Sequence, residues 1–261
     1  MKSRFEHVSP ADYAAVAVLA CEVSSHMLAR LDVVALKPAC VMEVGCGIGY
    51  GVQLLQARYP NAELFAVEDA PEMLAYAAKV SGSVASVRWL HASFDQLPVA
   101  DGSVDLLVGN LVLPWCTDLM KLLQEWRRVL RPEGLLMFSS FGPDTLRELE
   151  GQGIQLPYFA DMHNLGDALM QAGFADPVLD ADHFTLTYKE QQTLQHELQL
   201  TGFISQEDIL QPLKKDVAGV IPLTYEIVYG HAWRPEMNKN EVVGDGVVKF
   251  PLAHLRGRKR G

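Results

Sequence analysis

The chain has no long apolar run. Nowhere does it approach the roughly 18 residues that a bilayer-spanning helix needs, and no membrane partner is expected. Its opening, MKSRFEHVSPADY, lacks the apolar core of a signal peptide. Positive charge is also short. With 22 Lys and Arg against 32 Asp and Glu, the net charge is −10. A nucleic-acid partner would need a basic face to neutralise phosphate, so none is expected. Cysteine is scarce: Cys21, Cys40, Cys46 and Cys116 show no CxxC spacing and no histidine at ligand distance. No metal site is expected, and the compartment reads as a reduced, cytoplasmic one. There is no internal repeat, no low-complexity segment and no linker separating a second domain. A chain of 261 residues, 49% hydrophobic, is therefore expected to fold as one domain with a sizeable core and to act as a monomer. Basic residues concentrate only in RGRKR (256–260), inside a tail (236–261) expected to be flexible.

What is present is an alternation of two periods. Val16, Leu19, Val23, Met27 and Leu31 recur at helical spacing, and a capping box of Ser9 and Asp12 predicts one helix over 9–31. Short apolar runs at 39–44, 63–67, 86–91, 104–110 and 134–141 read as strands, with helices at 52–59, 71–80 and 119–131 between them. Such alternation implies parallel pairing in a layered α/β sheet, because each crossover helix must cover a sheet face. Further on, helices are expected at 165–174, at 190–200 and, with a Ser205/Asp208 capping box, at 205–215. GPDTLRELE (142–150) is expected to start another helix. Residues 176–188 read as a strand pair or a strand with a turn, and 221–233 as a closing strand.

The stretch VMEVGCGIGYG (41–51) follows the first strand and opens a helix. Its glycines let the main chain turn sharply and let a ligand approach it closely. The spacing is not the G-x-G-x-x-G of a dinucleotide loop. Glu43 precedes the first glycine, where an acid repels a pyrophosphate and attracts an ammonium. Glu68, backed by Asp69, ends the second strand, where a carboxylate can hold both ribose hydroxyls. A nucleoside carrying an amino acid fits these charges, and S-adenosylmethionine answers that description. Taken singly, Glu68 and Asp69 read equally well as a solvated strand end, Phe94 as core and Asn110 as a turn residue.

EVGCGIG, AVEDAPEML and HASFDQLPVADGSVDLLVGN resemble the glycine motif and adjoining segments of class I S-adenosylmethionine-dependent methyltransferases over about residues 35–145. The resemblance implies a Rossmann-like, mostly parallel sheet of about seven strands, with helices on both faces and an N-terminal helix. It implies that Glu43, Gly45, Gly47 and Gly49 border the methionine part and Glu68 the ribose. By it, Ser93 and Phe94 face the adenine and Asn110 borders the methionine end. The family usually has an acid where Ser93 stands; here Asp95 lies two residues on.

A narrower resemblance covers most of the chain. NLVLPWCTDL (110–119), FSSFGPDTLREL (138–149), residues 160–188 and TYEIVYGHAWRP (224–235) are similar to the malonyl-acyl-carrier protein O-methyltransferases of biotin synthesis. This implies methyl transfer to the free carboxylate of a malonyl group on acyl carrier protein. It also implies a helical cap at 1–34, a cofactor half at 35–145 and a substrate-side half at 146–235. Tyr13, Arg147 and His163 are the implied substrate-binding residues, Arg147 as a clamp for the carboxylate. No catalytic base is called for, since a carboxylate is already ionised at neutral pH, and His163 and His231 read as orienting donors or core residues. The chain departs from its relatives at Glu150, where they carry an arginine, and in a short 202–220 region. Arg127, Arg128, Arg131 and RGRKR are candidates for docking an acidic carrier. A methyltransferase for another small carboxylate or a quinone-type ring, and a non-catalytic cofactor-binding paralogue, stay open beside this reading.

Overall fold

The computed structural model describes Phe5 and residues 8–82 and 87–236. Seven strands alternate with seven helices: α1 (Pro10–Val16), α2 (Val18–Ala29), β1 (Cys40–Val44), α3 (Tyr50–Arg58), β2 (Glu63–Glu68), α4 (Pro71–Val80), β3 (Val87–His91), β4 (Val104–Asn110), α5 (Leu119–Val129), β5 (Leu130–Phe141), α6 (Met162–Gln171), β6 (Ala175–Tyr188), α7 (Gln191–Leu200) and β7 (Ile221–Trp233). They form one sheet in the order β3-β2-β1-β4-β5-β7-β6. β1 to β5 pair in parallel, and β7 runs antiparallel between β5 and β6. This is the Rossmann-like class I methyltransferase sheet.

The continuous apolar runs have a simple cause. Alternate residues of β4 face opposite sides, and both sides are covered. Leu106 and Val108 pack with Val23, Met27, Val52 and Leu55. Leu107 packs with Leu122, Leu123 and Trp126 on the other face. The order reverses where β1 is flanked by β2 on one side and β4 on the other, which opens a crevice at the carboxyl ends of β1 and β4. The glycine loop leaves β1 at this crevice.

Tertiary structure overrode local signals in four places. The helix expected over 9–31 breaks at Ala17, and its halves bend by 69°. Ser9 makes no side-chain cap bond. The two halves serve different surfaces. Tyr13 and Ala17 pack with Phe5, Ala70, Met73 and Leu200, whereas Leu19, Val23, Met27 and Leu31 pack on the sheet. One straight rod cannot reach both. Among the described residues no single helix is long and apolar enough to cross a membrane.

Residues 142–150 form no α-helix, only a 3-10 turn at Arg147–Leu149. Leu146 sits at φ +58°, a left-handed conformation that ends a helix and that tertiary contacts must hold. Those contacts are present. Leu146 is fully buried and its amide bonds Thr224 O at 2.7 Å, while the Glu148 carboxylate accepts the Thr224 amide at 3.0 Å and hydroxyl at 2.5 Å. Residues 176–188 are not a strand pair but belong to the single 14-residue strand β6, paired along β7 with a bulge between Ala175 and Val178.

The fourth case is 205–215, which is not helical. The capping contact itself forms, with Ser205 N–H donating to Asp208 Oδ2 at 2.6 Å. Beyond it, the backbone is held instead by three glutamines spaced four apart on α7. Gln199 Nε2 donates to Gln206 O at 3.2 Å, Gln195 Oε1 accepts the Leu210 amide at 3.1 Å, and Gln191 Oε1 accepts the Leu213 amide at 2.8 Å. These bonds replace the i→i−4 ladder, and Leu210 is buried beneath them. Gln195→Ala is expected to cost about 1–3 kcal/mol, the value of a buried amide left unpaired. Amide exchange at Leu210 should quicken, with faster limited proteolysis within 205–213; unchanged exchange there would disprove the ladder.

Candidate functional site

The loop after β1 is stitched to the end of β2. The Gly45 and Cys46 amides donate to Val67 O at 2.8 and 3.0 Å, and the Gly47 amide donates to Glu68 Oε2 at 2.9 Å. This path needs φ of +69° at Gly45 and +52° at Gly47, open to glycine at little cost. A Cβ on Gly45 would lie 2.6 Å from Val112 Cγ2, whereas one on Gly47 would meet no protein atom within 4 Å and would project into open space. That space is a cleft lined among others by Tyr13, Ala20, Ser24, Glu43, Tyr50 and Asn110. Gly49, at φ +83°, sits at the N-cap of α3.

Glu43 is 3% exposed, and its Oε2 has no hydrogen-bond partner. Burial, and then the charge of Glu68, push its carboxyl up to about 8. Gly51 is required beside it, since a Cβ there would fall 2.1 Å from Glu43 Oε1. The Ser24 hydroxyl, on α2, is likewise buried, unpaired and on the same cleft. Two unsatisfied acceptors facing one cavity form a site for a cationic donor group, which is how the ammonium of S-adenosylmethionine would fit.

Glu68 is 4% exposed and braces the loop. Besides Gly47 it accepts the Asp69 and Ala70 amides, both at 3.1 Å. Burial, followed by its hydrogen bond with the Asp69 side chain, raises it to about 7, against the backbone donors that favour the charged form. Ser93 Oγ donates to Asp95 Oδ1 at 2.6 Å, and Lys121 Nζ holds Asp95 Oδ2 at 2.8 Å. The Asp95 pKa is held low by Lys121 and Ser93. Phe94 packs in the core with Leu97, Val112 and Leu113, and its carbonyl accepts Trp126 Nε1 at 3.0 Å. Asn110 ties the sheet to the N-terminal helices, donating to Ala20 O at 2.9 Å and accepting from Ser139 Oγ at 2.7 Å.

A second, more apolar cavity adjoins the first. Tyr13, Ala17, Ala20 and Leu111 line both. Its far wall is Phe141, Phe203 and Tyr225, with Glu197 and Thr201 of the α7 end. Periodicity gave no hint of Ser24, Glu197 or Phe203, because their closeness to the glycine loop arises only from the fold.

Of the implied substrate residues, the structure brings only Tyr13 to these cavities. Arg147 is exposed, 3.7 Å from Asp144 and 3.8 Å from Glu148, and lines neither cavity. Leu146 and Leu149 take the inward positions of that turn, so the arginine points outward. His163 is exposed in the first turn of α6 and also lines neither. His231 lies within β7, half-buried, and burial lowers its pKa. The arginines proposed for docking are engaged at home: Arg127 with Gly173 O, Arg128 with Glu125 and Asp101, Arg131 with Asp105. RGRKR lies outside the described residues.

Comparison with known proteins identifies the family. Residues 42–138 match the methyltransferase-domain family. The chain is 38% identical to the malonyl-acyl-carrier protein O-methyltransferase of Laribacter hongkongensis over 92% of this chain and 91% of that one. It is 38% identical to its counterpart in a Methylovorus species over 86% and 85%. Among solved structures, a phosphoethanolamine N-methyltransferase of Haemonchus contortus, in complex with S-adenosylhomocysteine, has the same fold at TM-score 0.57 and 15% identity, covering 81% of this chain and 53% of that one. A methyltransferase of Aquifex aeolicus has it at TM-score 0.54 and 16% identity, over 86% and 98%.

Two outcomes are expected. Calorimetry should show S-adenosylhomocysteine binding that Gly47→Val abolishes, since the valine would fill the cleft; equal affinity in both proteins would overturn the site. The second concerns Glu43. An acid raised from 4.5 to about 8 on folding binds its proton more tightly in the folded state. Its contribution to the stability of the unliganded protein therefore falls as pH rises across that interval. Glu43→Gln should melt progressively above wild type over this range, the two converging near pH 4.5. Parallel melting curves would show the carboxyl to be unperturbed.

Proposed function

The chain belongs to the malonyl-acyl-carrier protein O-methyltransferases, and on that premise we propose that it esterifies the free carboxylate of malonyl-acyl-carrier protein for biotin synthesis. S-adenosylmethionine, the cofactor, would supply an electrophilic methyl group, which a carboxylate oxygen would take as the carbon–sulfur bond breaks and its electron pair stays on sulfur. Glu43 and Ser24 hold the cationic end of the cofactor, and the Gly47 backbone leaves room for its body. Glu68, with Asp69 beside it, receives the ribose. Ser93 and Asp95 receive the adenine, and Asn110, pinned between Ser139 and Ala20, closes the methionine end.

The single observation that carries the reading is the shared wall. Tyr13, Ala17, Ala20 and Leu111 line both the glycine-loop cleft and the apolar cavity, so a group seated in each would meet across one partition. No general base is needed, because carboxyls titrate near pH ~4 and the nucleophile is ionised at neutral pH. The work left to the protein is alignment and removal of water from the carboxylate. An apolar chamber of phenylalanine, leucine and alanine does the latter. Residues 1–34 act as a cap, 35–145 hold the cofactor and 146–235 wall the acceptor. The enzyme works as a cytoplasmic monomer with neither nucleic acid nor membrane as partner.

A second reading, transfer to another small acceptor, draws on the absence of Lys, Arg and His from the described residues lining the apolar cavity. The two separate on one assay. Purified protein with cofactor is incubated with malonyl-, acetyl- and succinyl-acyl-carrier protein and followed by intact mass. A gain of one methyl group on the malonyl carrier alone is expected; bound cofactor with no methylated carrier would overturn the reading.

A further inference from the structure

Among the described residues that line it, the apolar cavity has one ionisable carboxyl and no cation to offset a second. Glu197 stands in the last turn of α7, half-buried, and lines the cavity between the N-terminal helices and the aromatic wall. It is held in place rather than free to swing. Its Oε1 accepts the Tyr188 hydroxyl at 2.8 Å, and Thr201 Oγ1 donates to the Glu197 carbonyl at 2.8 Å. Tyr188 itself is 7% exposed at the end of β6. Oε1 is thus engaged by a donor, and Oε2 has no hydrogen-bond partner among the described residues.

Burial raises the pKa of this carboxyl, outweighing the opposite effect of the Tyr188 bond. An ionised Glu197 would repel an anionic acceptor, whereas a protonated one offers an O–H. The groups facing it are Tyr188 from β6, Tyr225 from β7 and Tyr13 from α1, and Glu148 acts on Tyr225. Burial carries Tyr188 and Tyr225 above the ordinary tyrosine range, so neither supplies charge near neutrality.

We propose that Glu197 is the specificity-determining residue of the acceptor pocket: as a neutral carboxyl it donates its proton in a hydrogen bond to one oxygen of the acceptor's carboxylate, leaving the other oxygen to take the methyl group. This rests on the function proposed above and assigns to Glu197 the task that the family resemblance implied for Arg147. The arrangement also favours release. The ester has lost its charge, so the charge-assisted bond from Glu197 weakens once the methyl group has moved.

The test is the pH profile of acceptor kcat/KM with malonyl-acyl-carrier protein, at saturating S-adenosylmethionine so that Glu43 and Glu68 drop out. Wild type is expected to lose kcat/KM with rising pH, on a limb displaced above the ordinary carboxyl range. Glu197→Ala should lower kcat/KM by about 10- to 150-fold below that limb, the range for a hydrogen bond to a charged group. Glu197→Gln keeps an N–H donor and should recover part of the loss while abolishing the limb. Both variants should bind S-adenosylhomocysteine as wild type does, which reports folding. Wild-type turnover with a flat profile, or a limb that persists in Glu197→Gln, would overturn the assignment and leave the function standing. No turnover on the malonyl carrier at any pH, with cofactor bound, would remove the function and this assignment together.

Discussion

Glu43 is a carboxyl buried at the top of β1 with no cation beside it among the described residues, and much of the surrounding structure accommodates that group. Gly51 is bare because the Glu43 side chain occupies the space of its Cβ. The carboxyl is raised to about 8, with the charge of Glu68 adding to the effect of burial. Such a group is costly to bury and unprofitable unless a ligand completes it. It therefore sits where a ligand can, in the crevice opened by the reversal of strand order between β1 and β4.

The glycine loop could not hold its shape on glycine alone, since glycine permits left-handed turns without enforcing them. Glu68 enforces them. Its carboxylate collects the amides of Gly47, Asp69 and Ala70, so the ends of β1 and β2 move as one piece. Asn110 extends the same logic to β4, fixing the N-terminal helices to the sheet edge through Ala20. The break at Ala17 belongs to this arrangement, because α1 reaches over the cleft while α2 stays on the sheet core.

On the acceptor side the structure replaces a charge with a shape. Arg147 faces solvent among Asp144 and Glu148, and the cavity is instead walled by Phe141, Phe203 and Tyr225 around Glu197. An apolar chamber of this kind strengthens any hydrogen bond made inside it.

The sequence by itself determined what depends on neighbours along the chain. The strand runs, the crossover helices, the glycine loop and the acids flanking it all declare themselves locally, since strand and helix periods and left-handed turns are set within a few residues. So did the family, through segments such as EVGCGIG and TYEIVYGHAW. The tertiary structure decided what depends on residues far apart. Leu146 takes a left-handed conformation because Thr224 and Glu148 hold it there, which turns Arg147 outward. Residues 205–213 are not helical because Gln191, Gln195 and Gln199 take up their backbone, although Ser205 and Asp208 make one contact of the capping box. Ser24, Glu197 and Phe203 came to line the two cavities for the same reason. Their positions arise from packing between segments that have no neighbours in common until the sheet forms, and no periodicity records that.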